Sequence, residues 1–533
     1  MAERRTCAVC PRPVWEGGGE EEEYCLFHSE QCEAKKDQFK AEIEAVLKGQ
    51  PSRLFLIGKR EYIYLYDFTG FRFPAGCSDF RGHEFSSDAV FSEATFLNSA
   101  YFDEATFRGV AMFAGATFRG NAVFDGVKVG GNALFFGAMF RSFARFERAV
   151  FGSDAKFFAA TFDGNTGFDE AAFRDNAEFY GATFSGSAWF NGATFSGNAV
   201  FDGARLKGNT WFSRAIFEGD ARFEGTILEN SLHITSNSRI EKVFSLNNCL
   251  CKGNILISDS SLGSFNADDL SYDGILTLEN VTFTNPKKDS HSTLRNVYLE
   301  RAKFIGTDLS HVAFGGAFIR EVIFDRVTFG QAAETKGGAT QPWLCGRPNE
   351  AIYEERVARK SGTKEDFETA ETVYRTLKHT MEEMHAGNLA RRMRAGELEM
   401  RLHVSTKFWE KLLLILYRFI NGFGLRWFRA LLMSFGMILL FASSYFIAGK
   451  CGAGATFEEA VTTGDRVEYK LVYKPSLDAL GSLRHSVETA TIIISPKYRM
   501  DNDWVGLIEI AQRIICPLLF AMFVQAVINA ARD

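Results

Sequence analysis

Four residues near the amino terminus have the types and spacing of a metal site. Cys7 and Cys10 form a C-x2-C pair, and Cys25 and His28 form a C-x2-H pair a short loop later. Two such knuckles converge three thiolates and an imidazole on one tetrahedral ion, the usual coordination of zinc. Four protein ligands leave no open position for water or substrate, so the expected role is structural. Cys32 offers an alternative fourth ligand, and a tail with reduced, unligated thiols is the competing reading. Elsewhere the chemistry is sparse: there is no phosphate loop, no nucleophile elbow and no catalytic His pair, and His233, His291 and His311 stand singly. Cys77, Cys249, Cys251 and Cys345 read as small buried residues, and ten Cys without a signal peptide predict a reducing compartment. No enzyme is expected.

The elements that must position this knuckle belong to a repeat. From Phe80 to Leu228 a large apolar residue recurs at alternating steps of five and six, and 25 of the 28 positions are Phe, the others being Val129, Leu206 and Leu228. Two residues before nearly all of them stands a small one, Ala in 22 cases. Helices repeat near 3.6 and strands near 2, whereas an unbroken eleven-residue unit means stacked coils. Residues at i and i−2 of an extended segment share a side, so Ala and Phe both face inward. Gly and Asn between units, as at Gly197-Asn198, are expected to permit the corners. Two units close a four-sided coil. After 228 the pattern loosens through Ile255-Leu-Ile257 and Leu276-Thr-Leu278, then returns at strict fives from Leu299 to Phe329. Residues 68–330 are therefore read as one solenoid of eleven or twelve coils, with 285–292 projecting from a corner. Over 80–230 there are 18 acidic and 13 basic residues, too mild a balance for a nucleic-acid surface.

This pattern resembles the Phe-rich form of the pentapeptide-repeat family of quadrilateral β-helices, and the Cys-x-Phe-His knuckle is similar to one seen in other such proteins. The expected fold is thus mixed: a cytoplasmic β-solenoid followed by an α-helical linker and a two-transmembrane helical pore domain with a re-entrant helix. The domains are 1–50, zinc knuckle and capping helix; 51–330, β-helix; 331–404, helical linker; 405–429, interfacial helix; and 430–533, pore domain. The capping helix spans about 31–48 with Phe39, Ile43, Val46 and Leu47 on one face, and the aromatic stretch Tyr62–Phe68 begins the solenoid cap.

The pore reading rests on the carboxy-terminal third. Residues 430–448 carry no charge, and a second apolar stretch covers 514–529, each near the length of a membrane span. Arg418, Arg426 and Arg429 place the first end, and hence both termini, in the cytoplasm by the positive-inside rule. Between the two lies a short apolar segment ending in Thr489-Ala-Thr-Ile-Ile-Ile494. The order span, re-entrant helix, span resembles two-transmembrane potassium channels and bacterial pentapeptide-repeat proteins fused to a pore domain. That resemblance implies a filter at Glu488, Thr489, Ala490, Thr491, Ile492, Ile493 and Ile494, and an inner cavity at Gln525 and Asn529. The Gly-Tyr-Gly that lines potassium sites is missing, so strict potassium selectivity is not expected. Glu488 has a rival role, pairing with Arg484 one turn earlier. Glu509, Gln512 and Arg513 are expected at the outer mouth. The first functional expectation is an oligomeric, preferably tetrameric, cell-membrane ion channel whose solenoid senses a cytoplasmic protein or small molecule. Its partners are membrane lipid and inorganic ions, its cofactor structural zinc, and nucleic acid is excluded. The alternative is a membrane-anchored scaffold that docks a partner and conducts nothing.

Overall fold

The eleven-residue pattern folds as two-residue strands joined by tight corners. Thr161–Phe162, Thr166–Gly167, Ala172–Phe173 and Ala177–Glu178 make the four sides of one coil, and Thr183–Phe184 then pairs in parallel with Thr161–Phe162. The computed structural model describes residues 24–49, 66–284, 291–329, 351–423, 427–450, 455–463, 466–474, 479–490, 498–500 and 503–531, with a few isolated positions before 24. The chain divides into two units, 1–330 and 331–533. The expected corner insertion and the linker Gly330–Pro348 lie mostly or wholly outside the described residues, as does most of Tyr62–Phe68.

The first unit is a β-solenoid of about 12 turns. Its core is the Phe ladder. Phe168 stacks on Phe146 at 4.8 Å and on Phe190 at 5.0 Å, and meets the edges of Phe157 and Phe179 at 5.4 and 5.5 Å. Parallel stacking along the axis and edge-to-face packing across it are the arrangements that aromatic quadrupoles favour. The i−2 residues, such as Ala160 and Ala171, are fully buried and leave the rings room. Coils shorten along the chain: Phe162 pairs with Phe184, but Phe304 pairs with Phe324, as expected when steps of five and six give way to fives.

The corners differ from expectation. Positive φ recurs every eleven residues, two places after Phe, at Gly181, Gly192 and Gly203 but also at Glu170 (57°) and Ala159 (52°). Gly197 is not among them. Gly197 lies at a bend as expected, but a Cβ there would meet the Asp175 carbonyl carbon at 2.5 Å, so what the bend needs of it is close stacking of coils rather than a positive φ. Corner polar side chains form ladders of their own: Asp169 Oδ1 accepts from Asn191 N–H at 2.8 Å, and Asn191 Oδ1 from Ser213 N–H at 3.1 Å.

Burial pushes the Asp169 carboxyl above its ordinary value of 3.8, against the hydrogen bonds from Asn191. A raised acid favours its protonated form in the fold, so this group's contribution is fullest below 3.8 and is lost as pH rises past that value. Because Asn191 shows that an amide fits the ladder, Asp169→Asn is expected to raise Tm by about 1–2 °C at pH 7, with the difference closing below pH 4. A pH series of thermal melts checks this.

The second unit is helical. Its elements are α2 Tyr353–Ser361, α3 Lys364–Glu383, α4 Gly387–Val404, α5 Phe408–Asn421, α6 Trp427–Lys450, α7 Ala479–Ala490 and α8 Asp503–Ala531, following α1, Cys32–Leu47, in the first. A small antiparallel sheet joins 455–463 to 466–474 and 498–500. Thr363 caps α3 by accepting from Asp366 N–H at 3.3 Å. Helices α2–α4 are tied by buried carboxylates: Arg359 bonds Glu355 at 2.7 Å and Glu399 at 3.3 Å, and Tyr374 donates to Glu355.

Among the described residues, no helix is long and apolar enough to cross a membrane. The multi-pass localisation and two-transmembrane pore domain expected from 430–448 and 514–529 are corrected accordingly. The physical reason lies in how these stretches pack. Phe441, Tyr445 and Cys516 bury one another between α6 and α8, with Met437, Ile438, Ala490 and Ile508 against them. Apolar residues that suggested two spans thus supply a helix-helix core within the unit.

Candidate functional site

The knuckle expected to hold metal begins the solenoid stack. Phe27 lies on Phe71 at 4.4 Å with nearly parallel rings, and Phe27 C=O accepts from Arg72 N–H at 2.9 Å, so Cys25–Ser29 acts as one more rung beneath the first coil. Helix α1 covers it with Phe39, Ile43 and Val46, all buried as expected, while Leu47 is only half-buried. This closes a raw sheet end, which solenoids require.

Two of the four sequence ligands fall within the described residues, and both are buried. Cys25 Sγ and His28 Nδ1 are 3.1 Å apart, and His28 Nε2 lies 3.2 Å from Thr69 C=O. A carbonyl accepts, so Nε2 carries the proton and Nδ1 presents its lone pair toward the sulfur. Fixing the tautomer by a carbonyl on the far nitrogen is how proteins orient a metal-binding imidazole. The two described donors, Cys25 and His28, are thus side by side with the imidazole oriented. Cys7 and Cys10 lie outside the described residues, and among those described no group of three or more metal-binding side chains occurs.

The expected filter residues are placed differently from one another. Glu488 accepts from Arg484 Nε at 2.9 Å, the local pairing. Thr489 is buried beside Tyr445, and Ala490 packs on the α6–α8 core. Thr491, Ile492, Ile493 and Ile494 lie outside the described residues, as do the side chains of Gln525 and Asn529. Gln512, expected at an outer mouth, is fully buried: it accepts from Tyr445 Oη at 2.8 Å and donates to Ser486 C=O at 2.6 Å. Glu509 reaches His485 Nε2 at 2.8 Å, and Ser486 Oγ donates to Ile438 C=O at 2.8 Å. This network staples α7 between α6 and α8. Its members span 67 residues of chain between Tyr445 and Gln512, beyond the reach of any local pattern.

One surface was not anticipated. Phe136, Phe158 and Tyr180 stand one coil apart on the same corner, 36, 45 and 51% exposed. Phe158 and Tyr180 stack at 5.4 Å, with Phe136 edge-on to Phe158 at 6.5 Å. Trp189, Trp211 and His233 form a second, half-buried ladder at 5.7 and 5.8 Å. The signal was present as the doublets Phe135-Phe136, Phe157-Phe158 and Phe179-Tyr180, each immediately after a core Phe.

Stacked four-sided coils with Phe at the centre of each side define a parallel β-solenoid of the pentapeptide type. Family models for pentapeptide repeats match the chain over 80–128 and 179–227, in a nine-copy form, and over 290–329, in an eight-copy form. The chain thus carries pentapeptide repeats at both ends of the solenoid. Among solved structures it is similar to HetL, a pentapeptide-repeat protein involved in heterocyst differentiation regulation from the cyanobacterium Nostoc. The identity is 13%, over 48% of this chain and 92% of that one, with a TM-score of 0.15. No curated protein matches.

Proposed function

We propose that this chain is a non-enzymatic interaction scaffold whose solenoid presents a rigid aromatic ridge to a protein partner. The observation that carries this reading is the Phe136–Phe158–Tyr180 row. Large rings occupy outward positions where polar or small residues would serve the coil equally, and they sit on a core too regular to yield. Exposed aromatic rows on fixed scaffolds are the anchors that protein interfaces favour. The test is proximity labelling in the source cells with wild type and the Phe158→Ser/Tyr180→Ser double variant. The expected result is an unchanged melting temperature with at least one labelled protein falling tenfold or more, about 1.4 kcal/mol of binding. An unchanged set of labelled proteins sinks the reading.

Structural zinc on Cys7, Cys10, Cys25 and His28 belongs to the same proposal, supported by the Cys25–His28–Thr69 geometry. Its function would be to fix the terminal rung under Phe71. Metal analysis is expected to find one zinc per chain, and Cys25→Ser to remove it and expose the first coils to hydrogen exchange while those beyond Phe168 stay protected. Metal-free protein with a protected first coil would refute it. Self-association, with four copies preferred, is also proposed. It is supported by the exposed Phe435, Leu440, Ile510 and Ile514 of α6 and α8, and light scattering near a single 59.6 kDa chain would exclude it.

A further inference from the structure

Helix α5 does not close tightly onto its neighbours. It roofs a cavity of about 1100 Å³ whose other walls are α4, α6 and α8. The lining follows α5 from Lys407 to Ile420, about 20 Å at the rise of an α-helix. Polarity is sorted along that length. The lining charges, Arg401, Lys407 and Glu410, gather at one end, and beyond them the walls include Leu413, Met433, Met437, Leu518 and Met522.

The charged end has donors to spare. Both Glu410 oxygens are occupied, one by Arg401 Nε at 2.7 Å and the other by Ser405 Oγ at 3.1 Å. The Arg401 Nη groups and Lys407 Nζ have no protein acceptor among the described residues. The lining thus carries one net positive charge, next to a guanidinium fork suited to a carboxylate. Three Met side chains in the walls adapt to an unbranched chain better than to a fixed planar ring.

We propose that this cavity binds one long-chain fatty carboxylate. Its chain would lie along α5 among the Met and Leu side chains, with its headgroup between Arg401 Nη and Lys407 Nζ. An apolar peptide would leave the net positive charge of the lining unmet, whereas a carboxylate at the end of an apolar rod satisfies both halves.

The experiment titrates the full chain with palmitate, with hexadecanol as the uncharged probe of equal length. Leu413→Trp fills the cavity from a position 66% exposed, so folding should be unaffected. Lys407→Glu reverses one headgroup contact. Expected are one palmitate per chain, at least tenfold weaker binding in Leu413→Trp, and a loss of about fivefold in Lys407→Glu. Hexadecanol should bind at least tenfold more weakly than palmitate. Uptake that does not saturate, or that Leu413→Trp leaves unchanged, overturns the site. Equal binding of hexadecanol, or indifference to Lys407→Glu, overturns the carboxylate assignment.

Discussion

Replacing Phe168 by Ala is expected to destabilise the solenoid by about 3–5 kcal/mol, the usual cost of emptying a fully buried aromatic position. The ring is stacked on both sides and meets edges in both flanking half-coils, so its removal leaves Phe146, Phe157, Phe179 and Phe190 each short of a partner. The four main-chain faces are pinned by hydrogen bonds to the coils above and below, which limits collapse into the void. Because coils touch only their neighbours, the damage should be local. Amides near 146–190 should lose hydrogen-exchange protection first. The same change at Phe324 should cost less than half as much, since that ring stacks on one side only, against Phe304 at 5.4 Å, and touches Phe329 at a tilt. Equal losses at the two sites, read by denaturant titration, would contradict the stacked-ring account.

The second large effect is expected at Gly396 in α4. Glycine to alanine inside a helix normally stabilises by roughly 1 kcal/mol. Here a Cβ would fall 2.3–2.6 Å from three ring atoms of Tyr374, a side chain 2% exposed whose hydroxyl donates to fully buried Glu355. Gly396→Ala must therefore push α3 and α4 apart or turn the ring away, leaving a buried carboxylate without that donor. Overpacking and a lost bond to a charged group together amount to about 3–5 kcal/mol. Tyr374→Leu should relieve part of the clash, so the double variant should be less destabilised than the sum of the two singles. A Gly396→Ala protein as stable as wild type would show that the helix crossing is looser than described.

What was legible beforehand is what depends on neighbours in sequence. The Ala–Phe pairing two residues apart, the α1 face of Phe39, Ile43 and Val46, and the Arg484–Glu488 pair one helical turn apart all follow from local periods. The corner at Gly197 was legible but its reason was not, because a glycine needed for a positive φ and one needed for a close approach look the same in a sequence. The stretch 430–448 was misread for a related reason. Hydropathy counts apolar side chains without knowing their partners, and the partners of Phe441 and Tyr445 lie some seventy residues away at Gln512 and Cys516. Gln512 and Glu509 looked like the polar rim of an apolar segment, yet Gln512 is fully buried with Tyr445 and Ser486 as partners, and half-buried Glu509 pairs with His485. The knuckle was legible as a C-x2-C and C-x2-H spacing, of which Cys25 and His28 lie side by side. Its second task, extending the Phe stack through Phe27, was not, because Phe27 lies outside the repeat's register.

Each eleven-residue unit covers half a circuit, which sets how such a rod can be lengthened or trimmed. Excising one unit between Phe140 and Phe173 would rejoin core to core, yet swing everything beyond it half a revolution about the axis. Phe136 and Tyr180 would then point in opposite directions. Excising two units, the interval that separates Thr161 from Thr183, restores the bearing of every outward side chain. Duplication within the gene can therefore proceed singly where only stability is selected, but in pairs wherever a docking edge must stay continuous.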